Sequence, residues 1–142
     1  MYLLSTQTLM DLLCGEPRIK DFINSAQIDN VGVSVVTLGE IQSEISATDQ
    51  DDGREVLDSA LRKFHAIARR TQRVEPFDET AAFMWAKIQG HDLVFDDEGE
   101  SISLSDIQRM VVATAIDRNL ILIERRQPYH ARLPDLQVLD PY

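Results

Sequence analysis

Residues 31–41 read VGVSVVTLGEI, a nearly continuous run of apolar and β-branched residues that passes into a helical pattern. Such a run favours a strand that is buried on both faces, as in a parallel sheet, over a half-exposed strand. Thr37 is placed to cap the helix that follows. The apolar stripe of that helix would consist of Leu38, Ile41 and Ile45. The stretch therefore predicts a buried strand followed directly by an amphipathic helix.

The same order of strand and helix recurs along the chain. Residues 2–4 form an apolar run, and Ser5 and Thr6 follow it as candidate caps of a helix at 6–13. Further strands are predicted within 73–77 and at 121–123 and 136–139. Further helices are predicted at 18–26, 55–70 and 78–89, and from Ser105 or Asp106 onward. In the helix at 55–70 we expect Val56 to face the core, and we expect Gly90 to end the helix at 78–89. Residues 91–103 show the least regular pattern. This alternation predicts an α/β fold with a central parallel sheet of about five short strands, flanked by helices in three layers.

Composition sets the general class of the protein. The chain has 142 residues, of which 44% are hydrophobic. This content suffices for one core, and we expect a single domain over 1–142. The lone cysteine, Cys14, excludes an internal disulfide and fits a reducing compartment, and we expect its thiol to be buried. The N-terminus has no signal-peptide pattern, and no apolar run is long enough to span a membrane. A cytoplasmic location is therefore predicted.

The charge is strongly negative but unevenly distributed. The formal net charge is −10, from 24 acidic and 14 basic residues, which disfavours non-specific binding to duplex nucleic acid. Two stretches concentrate acid, around 49–52 and 96–100, and are interpreted as solvated loops. The basic residues cluster at Arg62, Lys63, Arg69, Arg70 and Arg73, and again at Arg125, Arg126 and Arg132. A small basic surface on an acidic protein is thus predicted.

Candidate site residues follow the predicted strands. Ligand sites in parallel sheets form beyond the carboxyl ends of the strands. Ser5 and the segment 124–129 follow two strands, Glu40 lies on the helix after a third, and Asp106 begins a helix that can face the same region. Converging carboxylates would suit Mg²⁺ or Mn²⁺, and two such ions can promote phosphodiester hydrolysis. The simpler alternatives are that Asp106 caps its helix and that Glu40 is a solvated side chain.

In order along the chain, several segments resemble the VapC-type family of PIN domains. That family opens with a strand and an Asp-Thr-Asn motif, where residues 3–9 here read LLSTQTL. Residues 33–41, VSVVTLGEI, resemble its second motif, which ends in a glutamate. Residues 74–78 with Ala81 and Ala82, and the order of segments at 105–106, 112–115, 120–123 and 133–139, also follow the family. The resemblance spans essentially the whole chain and implies a PIN-like fold.

The acidic site that the resemblance implies departs from the family pattern. Ser5 occupies the first acidic position and Gln7 that of the companion asparagine, whereas Glu40 matches the second acid. Asp106 is the best match to the third position, although the spacing to residues 113–115 points to Gln108 instead. Tyr129 stands at the fourth position, and Glu124 is an additional carboxylate nearby that could compensate in part. Serine and tyrosine are neutral at pH 7 and are poor magnesium ligands.

Two functions remain open at this point. The first is a PIN-fold protein that has lost or greatly weakened RNA cleavage, needs no metal and acts by binding. The second is an active endoribonuclease toxin with a rearranged site, in which Glu40 and Asp106, with Glu124 as a further candidate, hold Mg²⁺ or Mn²⁺. A scaffold without any nucleic-acid role is a third interpretation. The resemblance also implies a homodimer and a small antitoxin protein as partner, with RNA binding weakened by the acidic charge.

Overall fold

A computed structural model of the chain describes residues 1–49, 53–89 and 103–142, together with the strands at 95–97 and 100–102. Its helices are α1 (Thr6–Leu13), α2 (Pro17–Ala26), α3 (Val35–Ala47), α4 (Arg54–Arg70), α5 (Glu79–Gln89) and α6 (Asp106–Asp117). Its strands are β1 (Tyr2–Leu4), β2 (Val31–Ser34), β3 (Val74–Glu75), β4 (Phe95–Asp97), β5 (Glu100–Ile102), β6 (Ile121–Ile123) and β7 (Gln137–Leu139). Short 3₁₀ turns cover Ile28–Asn30 and Pro128–Arg132.

The central sheet has five strands in the order β3-β2-β1-β6-β7, and every neighbouring pair is parallel. This confirms the predicted α/β class and the sheet of about five short strands. The sequence did not predict β4 and β5, which pair with each other in antiparallel fashion inside the stretch expected to be least regular. Gly90, expected to close α5, lies outside the described residues, as do residues 50–52 and 98–99 of the two acidic stretches.

Adjacent side chains on the central strands point to two separate hydrophobic cores. Leu3 and Leu122 belong to a core formed with α5 and α6, whereas Leu4 and Ile123 belong to a core formed with α1 to α4. Alternation along a strand sends successive side chains to opposite faces of a sheet. A strand buried on both faces must therefore be apolar at every position, which explains the unbroken apolar runs in the sequence.

The passage from β2 to α3 differs from the prediction. The strand ends at Ser34, whose hydroxyl accepts a hydrogen bond from the backbone N–H of Val36 at 3.3 Å and caps the helix. Thr37 is not the cap. It lies in the first turn of α3, is completely buried, and shares a hydrogen bond of 3.1 Å with the hydroxyl of Thr6. The β-branched residues Val35 and Val36 are helical because a serine cap precedes them.

Two burial predictions are wrong. Val56 is 70% exposed, because the buried face of α4 runs through Leu61, Phe64 and Ala68, and Val56 lies on its opposite side. Cys14 is exposed, since it is the C-cap of α1 and follows the last residue of the apolar stripe. None of the described helices combines the length and the apolar character that crossing a membrane requires.

Candidate functional site

Ser5 and Glu124 lie side by side at the carboxyl ends of neighbouring strands. Leu4 of β1 is in register with Ile123 of β6, so the residues that follow them emerge at the same level. The backbone N–H of Ser5 donates to the carbonyl of Ile123 at 3.1 Å, and that of Glu124 donates to the carbonyl of Leu139 at 3.1 Å. Both residues are buried. The strand ends therefore place two predicted site residues together, where parallel sheets form ligand sites.

These two residues line a cleft of about 170 Å³. Its wall carries hydroxyl, amide and carboxylate groups above an apolar floor from α6 and β6. The described lining residues are Ser5, Thr6, Gln7, Gln108, Val111, Val112, Leu122, Glu124, Gln127 and Tyr129. The cleft thus brings together the residues at the first and fourth positions implied by the family resemblance, together with Gln108 and the extra carboxylate of Glu124.

Ser5 is the N-cap of α1. Its hydroxyl oxygen accepts a hydrogen bond from the backbone N–H of Thr8 at 3.2 Å and donates its proton to the hydroxyl of Thr8 at 3.0 Å. Both interactions are internal to the start of the helix. The Ser5 side chain is therefore engaged in helix capping, as its position after a short strand predicts.

Gln108, and not Asp106, reaches the cleft. Ser105 caps α6 and forms a capping box with Gln108, whose Oε1 accepts from the Ser105 backbone N–H at 2.8 Å, while the Gln108 N–H donates to Ser105 Oγ at 3.1 Å. Asp106 is the first residue of α6 and is exposed. It is absent from the described lining of the cleft. Its carboxylate suits the positive end of the helix dipole without any ligand.

A buried cluster of Glu124, Tyr129 and His130 closes one side of the cleft. The Tyr129 hydroxyl donates a hydrogen bond to Oε2 of Glu124, and Nε2 of His130 lies 2.7 Å from the same oxygen. Tyr129 is only 1% exposed. Burial raises the pKa of the Tyr129 phenol far above its usual value, and the negative charge of Glu124 and the hydrogen bond to it add to the increase. The phenol is therefore a neutral donor across the physiological range.

The tautomer of His130 follows from its contacts. The backbone N–H of Gln127 donates to Nδ1 at 3.1 Å, so Nδ1 must carry a lone pair. The ring proton then resides on Nε2, which donates to Glu124. Both ring nitrogens are thereby engaged. His130 is consequently a hydrogen-bond donor to the carboxylate.

Glu40 lies on α3, outside the described lining of the cleft. It follows Thr37 by three residues, and Thr37 is bonded to Thr6, which does line the cleft. Its Oε2 atom is buried and has no hydrogen-bond partner. A buried carboxylate oxygen without a donor is unfavourable, so this atom marks a position where a donor or a cation would be stabilising.

The donor set of the cleft does not fit Mg²⁺ or Mn²⁺. These ions favour carboxylate and water oxygens, and Mg²⁺ requires nearly octahedral geometry. Among the described residues that line the cleft, Glu124 is the one carboxylate, and its Oε2 already accepts two hydrogen bonds. Across the described part of the chain, no three His, Cys, Asp or Glu side chains are grouped so that they could hold a metal ion. The remaining polar groups are neutral hydroxyls and amides.

Of the residues that the sequence singled out, Ser5, Gln108, Glu124 and Tyr129 line the cleft, whereas Glu40 and Asp106 do not, and His130 was missed. Glu124 and Tyr129 were singled out separately, without their mutual hydrogen bond. The missing signal was Pro128, which starts the 3₁₀ turn at Pro128–Arg132 and folds Tyr129 and His130 back towards the end of β6. A proline at the first position of a helical turn is a recognisable start signal.

Comparison with known proteins supports the fold. No protein-family model matches the chain, and neither does any curated protein. Among solved structures, FitAcB from Neisseria gonorrhoeae contains a chain that is 23% identical, with a TM-score of 0.77 and coverage of 99% of this chain and 98% of that one.

Two further solved structures are similar over nearly the whole chain. VapBC2 from Rickettsia felis, bound to a DNA fragment from its promoter, matches at 16% identity and a TM-score of 0.72, covering 98% of this chain and 97% of that one. VapBC-5 from Mycobacterium tuberculosis, a member of the VapBC family of toxin-antitoxin systems, matches at 22% identity and a TM-score of 0.64, covering 98% and 95%. The chain therefore has the fold of the VapBC and FitAB toxin–antitoxin proteins, the PIN-type fold that its sequence resembles.

Proposed function

We propose that the chain is a PIN-fold protein of the toxin–antitoxin type that has lost or greatly weakened metal-dependent RNA cleavage and acts by binding. The observation that carries the proposal is the composition of the cleft. Ser5 and Gln108 serve as helix-capping residues, and Tyr129 donates to the one lining carboxylate. A site of this kind is stable without a cation, whereas clustered carboxylates repel one another until a cation is bound.

The proposed partner is a small antitoxin protein. A solved structure with this fold, 20% identical with a TM-score of 0.67, is a toxin–antitoxin complex from Klebsiella pneumoniae. A homodimer is part of the same proposal, by resemblance to the family. Under this proposal the protein needs no metal cofactor, and fold alone does not imply hydrolysis.

The direct test is an RNA cleavage assay on the purified protein with Mg²⁺ or Mn²⁺. We expect no cleavage above that of a Glu40→Ala variant prepared in the same way. Metal-dependent cleavage that is lost in Glu40→Ala would overturn the proposal, since it would show that the site still supports hydrolysis.

A gain-of-function series tests whether the fold lacks only the metal-binding carboxylates. One variant combines Ser5→Asp, Gln108→Asp and Tyr129→Asp. Its matched control carries asparagine at the same three positions, because Asn and Asp have nearly the same size and differ in charge, and at the N-cap position 5 they cap a helix about equally well. We expect metal-dependent cleavage in the aspartate variant alone. Because Tyr129→Asp removes a buried ring, a second variant keeps Tyr129 and carries only Ser5→Asp and Gln108→Asp. Its readout is Mn²⁺ binding by calorimetry.

The alternative function is an active Mg²⁺- or Mn²⁺-dependent endoribonuclease toxin with a rearranged acidic site. One observation favours it, namely the buried, unpartnered Oε2 of Glu40. Asp106 and Glu124 would supply the remaining carboxylates if the cleft closed around an ion. Calorimetry with millimolar Mn²⁺ tests this alternative, and the absence of a binding isotherm that depends on Glu40 would exclude it.

A further inference from the structure

The outward face of α4 carries two acidic residues near its start, Glu55 and Asp58, and is basic from Arg62 to its end, a charge that the cleft does not explain. Arg62, Lys63, Arg69 and Arg70 are all exposed. Each residue advances about 100° around the helix axis, so these four side chains project within an arc of roughly 120°. Ala66 lies between them on the same face. The buried residues Leu61, Phe64 and Ala68 occupy the opposite side of the helix. We call this surface, from Arg62 to Arg70, the basic face.

The basic face contains no acidic residue, and the acids next to it along the helix are Glu55 and Asp58 at its start. No Asp or Glu occurs between Ser59 and Val74, in a chain with 24 acidic residues. Within the part of the chain that the structure describes, the ion pairs involve Arg118 and His130 and none of the four cations. Arg73, just beyond the helix, instead donates through Nε to the carbonyl of Asp29 at 2.8 Å. Four cations that form no ion pair with a described residue thus share one face of an acidic protein.

Helix stability accounts for only part of this arrangement. Arg69 and Arg70 lie in the last turn of α4, where cations favour the negative end of the helix dipole. Arg62 and Lys63 are two turns earlier, beyond the range of that effect. Oppositely charged pairs one turn apart stabilise a helix, and Asp58 is placed to form one with Arg62, but Lys63, Arg69 and Arg70 have no acidic residue one turn before or after them. The concentration of one sign of charge therefore points to an external partner.

We propose that the basic face binds the phosphodiester backbone of a nucleic acid. Arg62 and Arg69 are seven residues apart, which corresponds to about 10 Å along the helix axis, and Lys63 and Arg70 repeat the same spacing. Arg guanidinium groups match phosphate oxygens through paired N–H donors, and Lys supplies a point charge. Ala66 leaves room for a strand to lie between the two pairs.

A nucleic acid fits this surface better than an acidic protein does. Protein interfaces are centred on buried apolar or aromatic anchors. The exposed large apolar side chains among the described residues are Met1, Val35, Val56 and Phe83, and none of them lies between Arg62 and Arg70. The end of the basic face precedes β3, so Arg69 and Arg70 lie near the amino ends of the parallel strands, and none of the four cations is among the described residues that line the cleft. Binding there is independent of whether the cleft hydrolyses RNA.

The test measures binding of fluorescent poly(U) and poly(dT) by anisotropy, in EDTA and over a range of NaCl concentrations. We expect binding of both at low salt, because the backbone is the shared feature. Binding of poly(U) alone would assign the surface to RNA. For single strands, log K falls with log salt by about 0.7 for each phosphate contact. The double variant Arg62→Gln/Arg69→Gln removes two phosphate contacts. It should therefore reduce the slope of log K against log salt by about 1.4.

The matched control is Lys20→Gln/Lys87→Gln, which changes the net charge equally at exposed positions on α2 and α5. Gln and Arg have similar helix propensities, so both doubles should unfold at nearly the wild-type temperature. Three outcomes would overturn the proposal: no binding at low salt, an equal loss of slope in the control, or binding of polyglutamate with the same dependence on Arg62 and Arg69. The last outcome would assign the face to an acidic protein segment.

Discussion

At the scale of single residues, the Glu124 carboxylate determines the chemistry of the cleft. Its Oε2 accepts hydrogen bonds from Tyr129 and His130, and both partners are more than nine-tenths buried. Hydrogen bonds to a charged group are stronger than those between neutral groups, and a buried charge that loses its donors is costly. The two donors therefore stabilise the carboxylate in a place where bulk water cannot do so.

The first prediction concerns the hydroxyl of Tyr129. Tyr129→Phe removes one of the two donors to Glu124 and should lower the free energy of unfolding by about 1.5–3 kcal/mol. Tyr2→Phe is the control, because Tyr2 packs edge-on against Phe22 and its hydroxyl has no hydrogen bond to a described residue. That change should stay within about 0.5 kcal/mol. Urea unfolding measures both, and equal effects would refute the role of the hydroxyl.

The second prediction concerns alkaline pH. The folded protein raises the pKa of the Tyr129 phenol far above its usual value of 10.0, whereas the unfolded chain releases this proton near pH 10. The unfolded state thus binds fewer protons above that pH, and stability falls as pH rises. The urea midpoint should fall more steeply above about pH 10 in wild type than in Tyr129→Phe. Parallel curves for the two proteins would contradict this assignment.

Tyr142 contributes to the same trend over a narrower range. Partial burial and a hydrogen bond from its hydroxyl to Asp11 raise the pKa of Tyr142 to about 12. Its contribution is complete below pH 10 and is lost as pH rises through about 12. Because Tyr129→Phe leaves Tyr142 intact, the difference between wild type and that variant isolates Tyr129.

The sequence predicted the neighbourhood of these residues better than their interactions. Ser5 and Glu124 follow apolar runs, so a parallel sheet must bring them to one edge. The choice between Asp106 and Gln108 depended on a shift of two residues, about half a helical turn, and only the helix start at Asp106 shows which side chain reaches the cleft. The contact of His130 with Glu124 spans six residues and a 3₁₀ turn, for which no periodic pattern exists.

At the scale of secondary structure, β2 is a closely enclosed strand, buried at all four of its positions. A side chain added at Gly32 would place its Cβ 3.1 Å from the carbonyl oxygen of Arg73 and 3.4 Å from that of Tyr2. Both are backbone atoms beside the strand, so neither can move aside without disturbing the sheet. Gly32 therefore allows β2 to fit between its neighbours. Gly39 on α3 has nothing within 4 Å of the same position.

The third prediction uses this pair of glycines. Gly32→Ala should destabilise the protein by about 1–3 kcal/mol through overpacking. Gly39→Ala should stabilise it by up to about 1 kcal/mol, because alanine is the better helix former and meets no neighbour. The same substitution thus has opposite signs at positions seven residues apart, which thermal unfolding can measure. A stabilising Gly32→Ala would show that the sheet tolerates a wider strand.

Element types were predictable where a single pattern dominated, and boundaries were not where two signals competed. The run VSVV at 33–36 has strand propensity throughout, yet the chain turns helical at Val35 because Ser34 caps it. Capping by Ser34 and by Thr37 is equally plausible from residue type alone. Val56 was misplaced for a related reason, since one residue of uncertainty in phase rotates a helical side chain by about 100°.

At the scale of the whole molecule, the sheet separates two cores and leaves its carboxyl edge open as the cleft. If an ion bound this cleft in the folded protein only, then at an ion concentration ten times the Kd it would add about 1.4 kcal/mol to the free energy of unfolding. The fourth prediction is that millimolar MgCl₂ produces no rise in Tm beyond that of NaCl at equal ionic strength. A larger rise that Glu40→Gln abolishes would favour the alternative function instead.

The Glu124–Tyr129–His130 cluster also limits how this chain could change in evolution. An acidic residue at position 129 would lie beside Glu124 in a buried site, with two like charges and one fewer donor. An intermediate with that single change would be less stable than the present chain. Any route to an acidic site would therefore have to alter Tyr129 together with its neighbours. Substitutions in this cluster are thus epistatic, and single changes are disfavoured, which preserves the present chemistry of the cleft.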